Sequence, residues 1–208
     1  AGARRQLIGV SDASFLERMA GALALLGVDR ALLVAAQDGL DEVSASAPTT
    51  VFEVNGEEIV RYVLEPHEVG VHAPEDPRAQ TPAGGTPAQN AALTRAILRS
   101  DGGREDAPRD GDGDGEGGRE DGAASDGEGD GRRDDGDGRD LLAGEALAVI
   151  NAGAAIYAAG GAESIAQGVE AAHAAIADGR AASALERYVQ ASRRHAREPA
   201  RADARSSR

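Results

Sequence analysis

The 208 residues are enough for one domain of ordinary size or slightly more. With no cysteine in the chain, a disulfide framework, a thiolate metal site and a cysteine nucleophile are all excluded. The formal charge of −14 is unevenly spread: residues 101–140 hold sixteen acids against six arginines, a net of −10. That balance argues against a basic surface for nucleic acid. Apolar runs fall short of the roughly 18 residues of a bilayer span. Residues 7–10, which follow Arg4 and Arg5, are too short for a signal-peptide core. A soluble, cytoplasmic protein that binds neither membrane nor nucleic acid is therefore expected. The chain starts at Ala1 rather than at methionine, so either a first residue is removed or the chain is a piece of a longer one.

Residues 5–10 (RQLIGV) read as a short buried strand. Ser11 and Asp12 then offer side-chain oxygens to the free amides that open a helix. Phe15, Met19, Leu23 and Leu26 recur at helical spacing as its apolar stripe, and Gly27 suits its stop. Residues 31–35 (ALLVA) are apolar without alternation, as in a strand covered by helices on both faces. Residues 5–36 thus form a strand-helix-strand unit, right-handed by default. The loop DGLDE follows its second strand, and in open α/β sheets ligands bind beyond the carboxyl ends of strands.

Residues 49–64 read as a hairpin about Asn55-Gly56. Four prolines at 66, 74, 77 and 82 predict an extended connection over residues 65–84. Thr86 as N-cap and Pro87 at the first helical position then open a helix through Leu93, Ile97 and Leu98. Residues 101–139 are rich in Gly, Asp, Arg and Glu and nearly without apolar side chains. Such a segment buries too little surface to offset the entropy of ordering, so a disordered insertion is expected. Three helices follow: 141–159, Ala-rich and apolar on most faces; one after Gly160-Gly161 with the stripe Ile165, Val169, Ala172 and Ile176; and 181–195 with Leu185, Tyr188 and Val189. The organisation is an α/β core over residues 1–100, the insertion over 101–139, closing helices of the same domain over 140–195, and a mobile tail over 196–208.

Asp41 and Glu42, with Asp38 close by, are the candidates for chemistry. Mg2+ takes oxygen ligands and is typically held by one or two carboxylates together with substrate phosphates. Such an ion neutralises a pyrophosphate as it leaves. An adjacent acid pair is by itself most often a solvated surface feature; the position after a buried strand raises its interest. Asp110, Asp112, Asp114, Gly115 and Asp121 match the spacing of a helix-loop-helix calcium loop. The last ligand is Asp rather than Glu and no apolar helix flanks the run, so it reads as a chance match in an acidic linker. His67, His72, His173 and His195 have no metal-like or nucleophile partner at a recognisable spacing. Neither a Walker-type loop nor a dinucleotide glycine fingerprint occurs.

Three blocks, in order, carry a resemblance. RQLIGV, a helix and RALLVAAQDGLDEVS come first; GGTPAQNAALTRAIL (84–98) with Asn90 second; RDLLAGEALAVINAGAAIYAAG (139–160) with Asn151 and Tyr157 third. Residues 163–185 continue it as a closing helical pair. The chain resembles the C-terminal part of the large domain of anthranilate phosphoribosyltransferases over about residues 4–100 and 139–190. The resemblance implies the α/β fold of the nucleoside phosphorylase and phosphoribosyltransferase large domain, a mostly parallel sheet covered by helices. It implies that Asp41 and Glu42, in Gly39-Leu40-Asp41-Glu42-Val43-Ser44, bind Mg2+ and through it the pyrophosphate of phosphoribosyl pyrophosphate. The implied reaction joins that sugar to anthranilate in tryptophan biosynthesis.

The family's N-terminal helical domain, through which it forms homodimers, and its glycine-rich phosphate loop have no counterpart in these residues. The chain is therefore expected to be a fragment holding one wall of the active site, and inactive or nearly so by itself. A related nucleoside phosphorylase, an acidic calcium-binding protein and an inactive relative are the competing readings.

Overall fold

The computed structural model describes residues 2–72, 84–99 and 136–206, with side chains from Asp140 to Ala196 in the last segment. The prolines at 74, 77 and 82, the calcium-like spacing from Asp110 to Asp121 and all but the end of the acidic insertion lie outside the described residues.

The fold is α/β, and its centre is a four-stranded sheet in the order β1 (Arg5–Gly9), β2 (Arg30–Ala36), β3 (Thr49–Asn55), β4 (Glu58–Leu64). β1 and β2 are parallel, joined by helix α1 (Leu16–Leu25). The other two pairings are antiparallel, so the described sheet is mixed rather than mostly parallel. The cause lies in the connections. Residues 37–48 return from β2 without a crossover helix, and a two-residue turn joins β3 to β4; neither can reverse the chain twice, as a parallel pairing requires. The turn itself is one residue later than expected. Asn55 pairs with Glu58, leaving Gly56 and Glu57 in the bend, with Gly56 at φ 62° where a side chain would be strained.

β2 is buried on both faces, as its unbroken apolar run predicts. Leu32 and Val34 face one core with Val51 and Leu64; Ala31, Leu33 and Ala35 face the other with Val10, Leu16 and Ala20. α1 covers that second face, with Met19 and Leu23 of the expected stripe packed on it beside Leu16 and Ala20. Leu16 and Ala20 are buried, whereas Phe15 lies outside under the Arg18 guanidinium, 4.8 Å from its ring centre, and Leu26 is 78% exposed. Asp12 caps a single 3-10 turn, Ala13–Phe15, by accepting from the Ser14 amide, and α1 starts directly after this turn. After β4 another 3-10 turn, Pro66–Val69, replaces the extended chain expected there, its ends tied by Glu65 and Glu68.

The first core is closed by helices α2 (Pro87–Arg99), α3 (Gly136–Ala159), α4 (Ile165–Ala177) and α5 (Arg180–Ser206). α2 begins as its sequence predicts: Thr86 and Gln89 cap each other, and Asn90 bonds back to Gly85 through both of its amide atoms. α3 starts inside the segment assigned to the insertion, because a packed helix extends at the gain of one bond per residue. From Asp140 to Ala159 it is long and apolar enough to cross a membrane. Val149, Ile150, Ala154 and Ala158 are instead buried in the first core, which explains its composition. α3 and α4 approach closely at Gly153 and Gly168. A β carbon on Gly168 would overlap the Gly153 carbonyl oxygen, and one on Gly153 would sit 2.6 Å from the Val169 amide nitrogen. In α4 Ile165, Val169, Ala172 and Ile176 are all buried, as expected, and His173 is exposed.

α5 continues to Ser206, past the expected end near His195, through a stretch rich in the strong helix formers Ala and Arg. The tail assigned to 196–208 is thus helical over most of its length. Tyr188, counted in its apolar stripe, is 71% exposed, while Leu185 and Val189 are half-buried.

The C-terminal end of α3 is bound to the sheet by arginines. Arg5 donates to the carbonyl of Ala159, and Arg30 donates to that of Tyr157 at 3.2 Å with its guanidinium 4.7 Å from the Tyr157 ring centre. Cations there favour the negative end of the helix dipole. Below them Glu53 of β3 accepts from Tyr157 at 2.7 Å and from Tyr62 at 3.2 Å.

Candidate functional site

β1 and β2 are parallel, so their carboxyl ends share one edge of the sheet. The loop 37–48 crosses that edge and carries Asp38, Asp41 and Glu42. This is the position the strand-helix-strand reading assigned to it.

The loop is braced from four sides. At its entrance the Ala36 amide donates to Leu40, and Gly39, at φ 93°, makes the turn that permits it. Asp38 accepts from the Leu40 amide and from the Ser44 hydroxyl at 2.6 Å, and the same hydroxyl oxygen accepts from the amides of Ser46 and Ala47 at 3.0 Å each. Thr49, fully buried at the start of β3, accepts from the Ser44 amide at 3.1 Å. From below, Gly9 at the end of β1 packs on the main chain of Asp41, leaving no room for a β carbon. From α3, Asn151 accepts from the Val43 amide at 2.9 Å and donates to the Val43 carbonyl at 2.8 Å.

These braces divide the three acids. Asp38 is engaged in holding the loop. Asp41 is exposed and Glu42 half-buried, and among the described residues neither carboxylate has a hydrogen-bond or ion-pair partner. Burial pushes the Glu42 carboxyl above its ordinary range, and the negative charges of Asp41 and then Asp38 push it the same way. Uncompensated like charges on a rigid loop favour a cation between or beside them.

The donor set suits Mg2+: two oxygen ligands with coordination positions left for water and phosphate. Among the described residues no three His, Asp or Glu side chains converge on one point, so a bound ion would need oxygens from a ligand. The pair stands at a rim. A cleft of about 220 Å3 lies elsewhere, between α2 and α5, lined in part by Arg95, Leu98, Leu185, Val189 and Arg193, with no residue of the loop among its walls.

Sequence reasoning singled out Asp41 and Glu42 as candidates but gave no bracing role to Gly9, Ser44 or Thr49. It noted Asn151 only as part of a helix block. Ser44 was visible in the loop motif. The reach of Asn151 over 108 residues of sequence carries no local signal.

A family model, the glycosyl transferase family a/b domain, matches residues 1–110. The chain is 37% identical over 198 residues to the anthranilate phosphoribosyltransferase of Rubrobacter xylanophilus, spanning 94% of this chain and 45% of that protein. It superposes on the crystal structure of anthranilate phosphoribosyltransferase from Thermus thermophilus with TM-score 0.57 and 32% identity, over 88% of this chain and 41% of that one. The Saccharomyces cerevisiae enzyme, solved in complex with PRPP and Mg, gives TM-score 0.60 over 89% and 42% of the two chains; at 19% identity this likeness is one of fold. The chain thus spans slightly under half the length of the relatives it matches. On the match over more than half of its residues, this chain belongs to the glycosyl transferase family through its a/b domain.

Proposed function

We propose that this chain is the part of an anthranilate phosphoribosyltransferase that receives the pyrophosphate of phosphoribosyl pyrophosphate, with Asp41 and Glu42 holding Mg2+ for it. The observation that carries the reading is the pair itself. Two carboxylates without a partner among the described residues stand on a braced loop, beyond the carboxyl ends of two parallel strands, in a chain whose full-length relatives carry that name. Bound Mg2+ would supply neutralisation of the negative charge that develops on the departing pyrophosphate. The two carboxylates would fix where that charge is received, and the braces keep them there without rearrangement during the reaction. The anthranilate amine must also be held against the ribose carbon, and positioning of both reactants is the larger part of such catalysis. The chain spans slightly under half of its relatives' length, so the isolated chain is expected to be inactive or nearly so. The product would enter tryptophan biosynthesis, and the cytoplasm is the compartment that fits.

The test combines the chain with the remaining part of the Rubrobacter xylanophilus relative and follows the loss of anthranilate fluorescence. Mg2+-dependent turnover that needs both parts, and that falls by about 100-fold or more in Asp41→Asn and Glu42→Gln, is the expected result. Turnover indifferent to both substitutions, or phosphorolysis of a nucleoside in its place, would refute it.

A further inference from the structure

The carboxylates of Asp41 and Glu42 repel one another and make no hydrogen bond among the described residues, so their placement must come from the main chain that carries them. Besides Thr49, which holds the Ser44 amide, a side chain of α3 grips that main chain next to the pair. The amide of Asn151, half-buried in the middle of α3, meets both polar groups of Val43, the residue after Glu42: Oδ1 accepts from its N–H at 2.9 Å and Nδ2 donates to its carbonyl at 2.8 Å. A third bond, from Nδ2 to the Leu147 carbonyl one turn back at 3.0 Å, fixes the orientation of the amide itself. A planar group bound at two points sets the rotation of Val43 as well as its position, and with it the direction in which the preceding side chains leave the loop. Val149 and Ile150, within this same turn, are both fully enclosed and bury the helix there.

We infer that Asn151 is a positioning residue for the Asp41–Glu42 cation site, acting through Val43 and touching neither cation nor substrate. The inference rests on the reading of that acid pair as a cation site. A merely structural asparagine would lower the melting temperature and leave the cation affinity of the folded protein unchanged. A positioning residue lowers the affinity while the protein remains folded; loss of groups that orient metal-binding side chains typically costs about 10–100-fold.

The experiment uses the full chain, with Mn2+ and inorganic pyrophosphate as the probe and free Mn2+ read by electron paramagnetic resonance, below the melting temperature of every variant. Asp41→Asn and Glu42→Gln come first; if wild-type binding is unchanged in both, the cation reading fails and the role of Asn151 with it. Where those two do weaken binding, Asn151→Ala is expected to lower affinity by about tenfold or more and to speed hydrogen exchange at the Val43 amide. Val169→Ala, which thins the α3–α4 contact away from the loop, serves as the control for lost stability and is expected to bind as wild type does. Asn151→Asp covers the case in which the alanine variant does not fold. It keeps the size and the acceptor for the Val43 amide but loses the donor to its carbonyl. Its added negative charge would by itself attract Mn2+, so weaker binding reports position. Wild-type affinity in a folded Asn151 variant, or an equal loss in Val169→Ala, would overturn the inference.

Discussion

Gly9 and Asp41 touch through their main chains: a β carbon on the glycine would overlap the carbonyl oxygen of the acid. The end of one strand is thereby the floor on which the acidic loop rests. Gly9 is solvent-exposed, so neither core needs the absence of its side chain; the loop does. Gly9→Ala is expected to push residues 40–42 off the strand end at a cost of about 1–3 kcal/mol. Urea denaturation measures the cost, and the Mn2+–pyrophosphate affinity of the folded variant is expected to fall with it. A variant with unchanged stability and unchanged affinity would show that the loop is not supported there.

Gly168 and Gly21 make opposite predictions from the same substitution. At Gly168 a methyl group meets the Gly153 carbonyl across the α3–α4 contact, where both backbones would have to part. Gly168→Ala is expected to destabilise by about 1–3 kcal/mol. Gly21, in the middle of α1, has open space where a methyl group would stand, with no atom within 4 Å. There the gain in helix propensity dominates, and Gly21→Ala is expected to stabilise by about 0.5–1 kcal/mol. Thermal melts of the two variants, run together, are expected to move in opposite directions.

Tyr62 makes stability fall at alkaline pH. Its hydroxyl is pushed well above the ordinary value of 10.0 by burial, then by the charge of Glu53, its hydrogen bond to Glu53 and the nearby Tyr157. Tyr157 is raised in the same direction, again with burial as the largest cause. The folded state therefore keeps these protons where the unfolded chain releases them. Their contribution is complete below the unfolded value near 10 and is lost as pH rises above it. Denaturant titrations from about pH 8 to pH 11 are expected to show wild type weakening across that window. Tyr62→Phe should start less stable by about 1 kcal/mol, having lost one bond to Glu53, and should decline less steeply. Parallel curves for the two proteins would contradict the assignment.

The parts of the fold that were legible in the sequence are those whose signal is local. The unbroken run ALLVA could only be a strand covered twice, and the acids after it had to lie at the carboxyl edge. Thr86-Pro87 and the stripe from Ile165 to Ile176 declared a helix start and a helix face. Where several patterns fit, the reading slipped. In α1, rich in Ala and Leu, the series from Phe15 and the series from Leu16 both satisfy helical spacing; Leu16 and Ala20 are fully buried, Met19 and Leu23 pack beside them, and only Phe15 and Leu26 at the ends lie outside. The direction of β3 was hidden for another reason: antiparallel return depends on how residues 37–48 are braced, and Ser44, Thr49 and Asn151 make those bonds in three dimensions. The acid pair was therefore legible as a candidate, while the residues that brace its loop were not.

Asn151 and Tyr157 hang on the same helix, six residues apart, and each is tied to a different end of the sheet: one to the acidic loop, the other to Glu53 and Arg30. Their angular offset and separation along the helix axis, about 9 Å, are set by the residue count between them. Deleting one residue from this interval would swing one tie by about 100° relative to the other, so both could not be made at once. Length variation is therefore forbidden in the short span of helix between them.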